Sequence, residues 1–127
     1  MYKKTITYTD YNGTERTEDF WFNFSKAELV EMELGVNGGY AELLKKVSAT
    51  QDAPTLIAIF KELILKAYGE KSLDGKHFRK SEQLRTDFSQ TEAYSNLFME
   101  LAFDSKAAAE FVNGVIPANM RAELEKL

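Results

Sequence analysis

Phe20, Phe22 and Phe24 stand at every second position of DFWFNF, and this row constrains the chain more than any other feature. Period-two spacing puts the three rings on one face of an extended strand, and a face that apolar has to be covered. Upstream, Lys3 to Tyr8 alternates threonine with isoleucine and tyrosine, a second strand pattern. Tyr11-Asn12-Gly13-Thr14 lies between the two, so together they read as a β-hairpin. A two-residue Asn-Gly turn pairs Ile6 with Asp19 and leaves the phenylalanine row facing Lys3 and Thr5. A three-residue loop with Gly13 in the left-handed region instead places Tyr2, Ile6 and Tyr8 on the face of Phe20 and Phe22. The second register is expected, because it gathers the apolar groups on one side. Trp21 then points the other way, to cover the second face or to stand partly exposed for a partner.

Beyond the hairpin the pattern turns helical. Ser25-Lys26-Ala27-Glu28 is a capping box, opening a short helix to Leu34 that stops at Gly35. A second helix is predicted over Tyr40 to Thr50, with Leu43, Leu44 and Val47 inward. Pro54 suits the first turn of a third, Ala53 to Tyr68, ended by Gly69. Leu56, Ile57, Ile59, Phe60, Leu63, Ile64, Ala67 and Tyr68 make its stripe too wide for a surface helix, so it is expected at the centre. The polar stretch Glu70 to Lys80, with Asp74-Gly75, reads as a small hairpin or a loop. Ser81 caps a helix to Phe88, Thr91 one to Phe103, and Asp104 or Ser105 one to Gly114. After Pro117, Ala118 to Leu127 offers only Met120, Leu124 and Leu127 as a stripe, a loosely attached helix or tail. The predicted class is mainly α with a small β part. An N-terminal β-hairpin (residues 1–24) precedes a compact bundle of about five or six helices (residues 25–117), all one domain over 1–117.

Composition removes several functions. The 127 residues include no cysteine and one histidine, which denies the chain disulfides, thiolate metal sites and a histidine-rich metal centre. No metal or cofactor is expected. His77 sits in the polar stretch, where a loop histidine without a role is the plain reading. Gly69 to Lys76 imitates a phosphate loop, but five residues separate the glycines where four are needed, and His77 replaces the magnesium-binding hydroxyl. Glu15, Glu18 and Asp19 are grouped carboxylates, read as solvated charge on the hairpin rather than an acid–base pair. A net charge of −4 disfavours binding to phosphate backbones. MYKKTITYTDYNG has no apolar run after its lysines, so no secretory leader is expected, and the apolar stretch around Leu56 to Leu65 is too short to span a bilayer. Without a pocket chemistry the chain reads as no enzyme. What remains is apolar: aromatics form 13% of a small domain, so some must lie near the surface. Trp21, Phe98, Met99, Phe103 and Phe111 are the candidate protein-binding residues, set against the simpler reading that they pack the core.

Three long segments carry a family likeness. KKTITYTDYNGTERTEDFWFNFSKAEL (3–29), IFKELILKAYGEKSLDGKHFRKS (59–81) and TEAYSNLFMELAFDSKAAAEFVNGVIP (91–117) resemble tail assembly chaperones of siphophages and prophages of Gram-positive bacteria. The resemblance implies a non-catalytic protein of the host cytoplasm that binds the long helical tape measure protein and keeps it soluble. The major tail protein then polymerises around the tape, and the chaperone is absent from the finished virion. It further implies that this chain is the short form, the longer one arising by frameshift. No family binding residue carries over. Many weak copies along one tape would give coverage through avidity, and the unpaired hairpin edge is a route to homo-oligomers. The competing expectations are a structural tail or head-completion protein retained in the virion, and a small enzyme or regulator of the host.

Overall fold

The computed structural model describes residues 1–35 and 53–115. Strands β1 (Tyr2–Thr9) and β2 (Glu15–Phe22) form the hairpin and α1 (Lys26–Gly35) follows. Helix α2 (Ala53–Ala67) runs into β3 (Tyr68–Lys71), β4 (Phe78–Arg79) returns alongside, and α3 (Glu82–Ser89), α4 (Glu92–Phe103) and α5 (Ser105–Val115) complete the described part. The strands make one antiparallel four-stranded sheet in the order β1-β2-β3-β4. The fold is therefore mixed α/β, with five helices among the described residues, rather than a hairpin attached to a helical bundle. The predicted helix over Tyr40 to Thr50 and the segment after Pro117 lie outside the described residues.

The hairpin takes the register that collects the apolar groups: Tyr2 faces Phe22, Lys4 faces Phe20, Ile6 faces Glu18 and Tyr8 faces Arg16. Gly13 turns the loop at φ +82°, in the left-handed region that costs glycine little. The Asp10 amide donates to the Thr14 carbonyl at 2.9 Å, and the Asp10 carboxylate accepts from the Asn12 and Thr14 amides, each at 2.9 Å. Arg16 Nε, 2.6 Å from that carboxylate, holds Asp10 below the usual carboxylate range, with the two amides assisting.

Helices cover one face of the sheet. Phe22 is fully buried there, its ring 5.5 Å from Phe111 of α5 and 5.8 Å from both Phe88 of α3 and Tyr68 of β3. Tyr68 and Phe88 stack at 4.2 Å. Leu97 and Leu101 of α4, and Ile59, Leu63, Ile64 and Ala67 of α2, belong to the same core, but among the described residues α2 is buried on one side only: Ile57, expected within its covered stripe, is exposed, so α2 is not the enclosed central helix its sequence implies. The helix starts are chemical as well as geometric. Ser25 and Glu28 exchange hydrogen bonds of 3.0 and 3.1 Å, Ser81 Oγ accepts from Leu84, and Thr91 Oγ1 accepts from Tyr94. Asp104 rather than Ser105 caps α5, its carboxylate accepting from the Lys106 and Ala107 amides.

Gly69 does not stop a helix. It is a strand residue paired with Trp21, and a Cβ there would lie 2.7 Å from both the Phe78 ring and the Arg79 carbonyl. The stretch after it folds as a hairpin turning at Gly75, φ +76°. Lys80, just beyond β4, ties that hairpin to the β2–α1 turn. Its ammonium donates to the Asn23 carbonyl and to Glu28, both at 2.6 Å, and lies 4.7 Å from the Phe24 ring centre. Burial lowers its pKa, against the opposing pull of Glu28.

Candidate functional site

The helical step of about 100° divides α4. Ala93, Leu97 and Leu101 are buried, and Tyr94 and Phe98 pack half-buried against the core. Met99 and Phe103, one turn apart, face solvent with 51% and 78% of their surface exposed. On the flank of this strip Lys4 of β1 bonds Glu100 at 2.8 Å, and the Asn96 amide reaches the Thr7 carbonyl at 3.4 Å. Both contacts pin α4 to β1 and leave the Met99–Phe103 face outward.

Of the five residues singled out from sequence, only Met99 and Phe103 form a contiguous exposed pair. Phe98 is partly buried. Phe111 is a correction: at 0% exposure it is a core ring, packed between Tyr2 and Phe22, and no partner reaches it in this fold. Trp21 stands apart on the sheet face away from the helices. It is partly buried, with the ammonium of Lys3 at 5.7 Å and that of Lys71 at 5.6 Å from its ring centre. Sequence reasoning missed exposed Val30, Ile57 and Leu73. Leu73 is legible in retrospect as an apolar residue beside the Asp74-Gly75 turn; Ile57 belongs to a helical stripe expected to be covered, and Val30 lies in a short helix for which no face is predicted.

Nothing among the described residues assembles reactive groups. No cluster of three or more histidine, cysteine, aspartate or glutamate side chains could hold a metal there. His77 is exposed, its main chain paired with Ser72. Glu15, Glu18 and Asp19 do not converge: Glu18 bonds the Tyr8 hydroxyl and Asp19 accepts from Thr5 at 2.6 Å. Among the described residues no helix is long and apolar enough to cross a membrane.

A mixed α/β fold that holds Met99 and Phe103 side by side in solvent offers an apolar surface of the kind that meets other proteins. The model of the phage tail assembly chaperone family matches residues 1–126, and the chain belongs to that family. Neither a curated protein nor a solved structure matches the chain.

Proposed function

We propose that this protein binds the tape measure protein of a siphophage or prophage, keeps it soluble in the host cytoplasm, and is displaced as the tail tube polymerises. It does so without catalysis and does not remain in the virion. The observation that carries the reading is the Met99–Phe103 strip of α4, two large apolar side chains in solvent on a helix that the core otherwise fixes. A long helix with an apolar stripe aggregates in water, and a second apolar strip laid along it removes that stripe from solvent. Two side chains give little affinity alone, so coverage comes from many copies on one tape, each of them easily displaced by arriving tail subunits. Met99 suits a repetitive but imperfect target, because its thioether side chain adapts to varied neighbours.

The test is co-expression with the tape measure protein encoded in the same phage. The wild-type chain should raise the soluble yield of that protein and co-purify with it, and Met99→Ser with Phe103→Ser should do neither while remaining folded. Undiminished rescue by the double variant refutes the strip. Absence of any rescue or complex refutes the partner. Mass spectrometry of purified particles separates a chaperone, which is missing, from a tail or head-completion component, which is present.

A further inference from the structure

Strand β2 is longer than the neighbour that covers it. Of its eight residues only Trp21 and Phe22 pair with β3. Below Trp21 the two strands part, leaving a cleft of about 380 Å³ lined by Glu18, Asp19, Phe20, Trp21, Tyr68, Gly69, Glu70 and Lys71. Main-chain groups alternate sides along an antiparallel strand. The Asn23 amide donates to the Ala67 carbonyl on the β3 side, so Trp21, Asp19 and Thr17 direct their amides and carbonyls to that side as well. Among the described residues no strand pairs with β2 there below Trp21. Among the described residues the cleft therefore has an open hydrogen-bonding edge, an aromatic end at Trp21 and Tyr68, and three carboxylates against one lysine; Glu18 is held by the Tyr8 hydroxyl and lies 3.5 Å from Arg16, Asp19 accepts from Thr5, and Glu70 is the carboxylate most available to a cation.

We propose that this open edge of β2 accepts, as an added strand, an extended segment of another protein carrying lysine or arginine at alternate positions. Strand addition supplies main-chain partners on that side to Thr17 and Asp19, which pair with no strand there among the described residues, and side chains at every second position lie opposite Asp19 on one face and Glu18 and Glu70 on the other. The carboxylates set the sign of the partner's charge. Burial above all, with Glu70, Asp87 and Glu18 adding to it, pushes the Tyr68 hydroxyl up to about 12. A second copy of the chain fits less well, since the lysines of its own edge strand are engaged, Lys4 with Glu100 and Lys3 over Trp21. The proposal does not depend on the tape measure reading, because it concerns the sheet and not α4. Failed co-expression rescue leaves it intact, and failure of the test below leaves the α4 strip intact.

Trp21 is the single tryptophan of the chain and lines the cleft, so its emission reports occupancy directly. The probe is a blocked peptide alternating threonine and lysine, titrated into the full-length protein. A saturable change in Trp21 emission is expected. Glu70→Lys should weaken binding about three- to tenfold and Lys71→Glu should strengthen it by a similar factor, since both sit at the surface. A peptide of equal charge with proline at alternate positions should lose most of the binding, because it cannot donate along the edge. No saturable change overturns the proposal. So does equal binding of the proline peptide, equal binding of a threonine–glutamate peptide, or indifference to Glu70→Lys. Self-association of the free chain that is abolished by Glu70→Lys assigns the edge to a second copy and also overturns it.

Discussion

Replacing Gly114 by alanine places two effects of opposite sign at one atom. Gly114 lies within α5, where alanine is favoured over glycine by about 1 kcal/mol. The added Cβ would, however, lie 2.6 Å from Cδ2 of Tyr2, 3.1 Å from its Cβ and 3.2 Å from its Cγ. Tyr2 has little freedom to retreat. Its ring meets Phe111 edge-on at 5.3 Å and lies 6.3 Å from Phe22, and its backbone pairs with Phe22 in the sheet. Overpacking of this kind costs about 1–3 kcal/mol, so the single variant should lose about 1 kcal/mol net. With a urea slope of about 2 kcal/mol per molar, the midpoint falls by about 0.5 M. In a Tyr2→Ala background the ring is gone but its Cβ, 3.1 Å from the added atom, remains, so the same Gly114→Ala change should fall between neutral and about 1 kcal/mol stabilising, giving a coupling of about 1–2 kcal/mol in a double-mutant cycle. Urea unfolding followed by Trp21 emission measures all four species. Stabilisation by Gly114→Ala in the wild-type background, or a coupling near zero, would refute the claim that close approach of Tyr2 requires glycine.

Gly69→Ala should destabilise by more than Gly114→Ala, about 2–3 kcal/mol or beyond, and removing the Phe78 ring should not rescue it, because the Arg79 carbonyl is backbone; urea midpoints decide this. Phe111→Ala should cost about 3–5 kcal/mol, whereas Phe103→Ala should stay within about 0.5 kcal/mol, a contrast that thermal unfolding reads as the difference between core and surface. Stability should fall as pH rises from 10 toward 12. The neutral phenol of Tyr68 is favoured in the folded state, so its contribution is complete below the ordinary value of 10.0 and is lost through about 12. Lys4, raised by its bond to Glu100, acts in the same direction, its contribution present below 10.5 and lost as pH climbs through the raised value. Lys80, lowered by burial, works against both by gaining stability as pH approaches 10.5, and Tyr68→Phe should flatten the alkaline decline measured by denaturation at stepped pH.

The hairpin was readable because its two candidate registers differ in where they send Tyr2, Ile6 and Phe22, and burial separates them decisively. Caps were readable because Ser25, Ser81, Thr91 and Asp104 act through neighbours three positions or fewer away. β3 was readable only in part. A small hairpin over Glu70 to Lys80 is one of the two readings its sequence allows, but Tyr68 ends the helical stripe and Gly69 reads as its stop, and these two are strand residues because Trp21 and Phe22 pair with them and Phe78 lies over the glycine. A choice made by partners far along the chain leaves no local mark, and missing it turned a sheet protein into a bundle on paper. The candidate site divides along the same line. Phe98 and Met99 are adjacent in sequence, and only the rotation of α4 against the core puts one inside and the other out. Phe111 could have been assigned inward from its own helix, since Ala107, Ala108 and Val115 share its stripe.

Helix α2 passes into β3 between Ala67 and Tyr68 with no intervening residue, and the Ala67 carbonyl is held by the Asn23 amide at the end of β2. A partner that grips the sheet at β3 therefore takes hold of a segment that continues, without a loop, into a helix contributing Ile59, Leu63, Ile64 and Ala67 to the core.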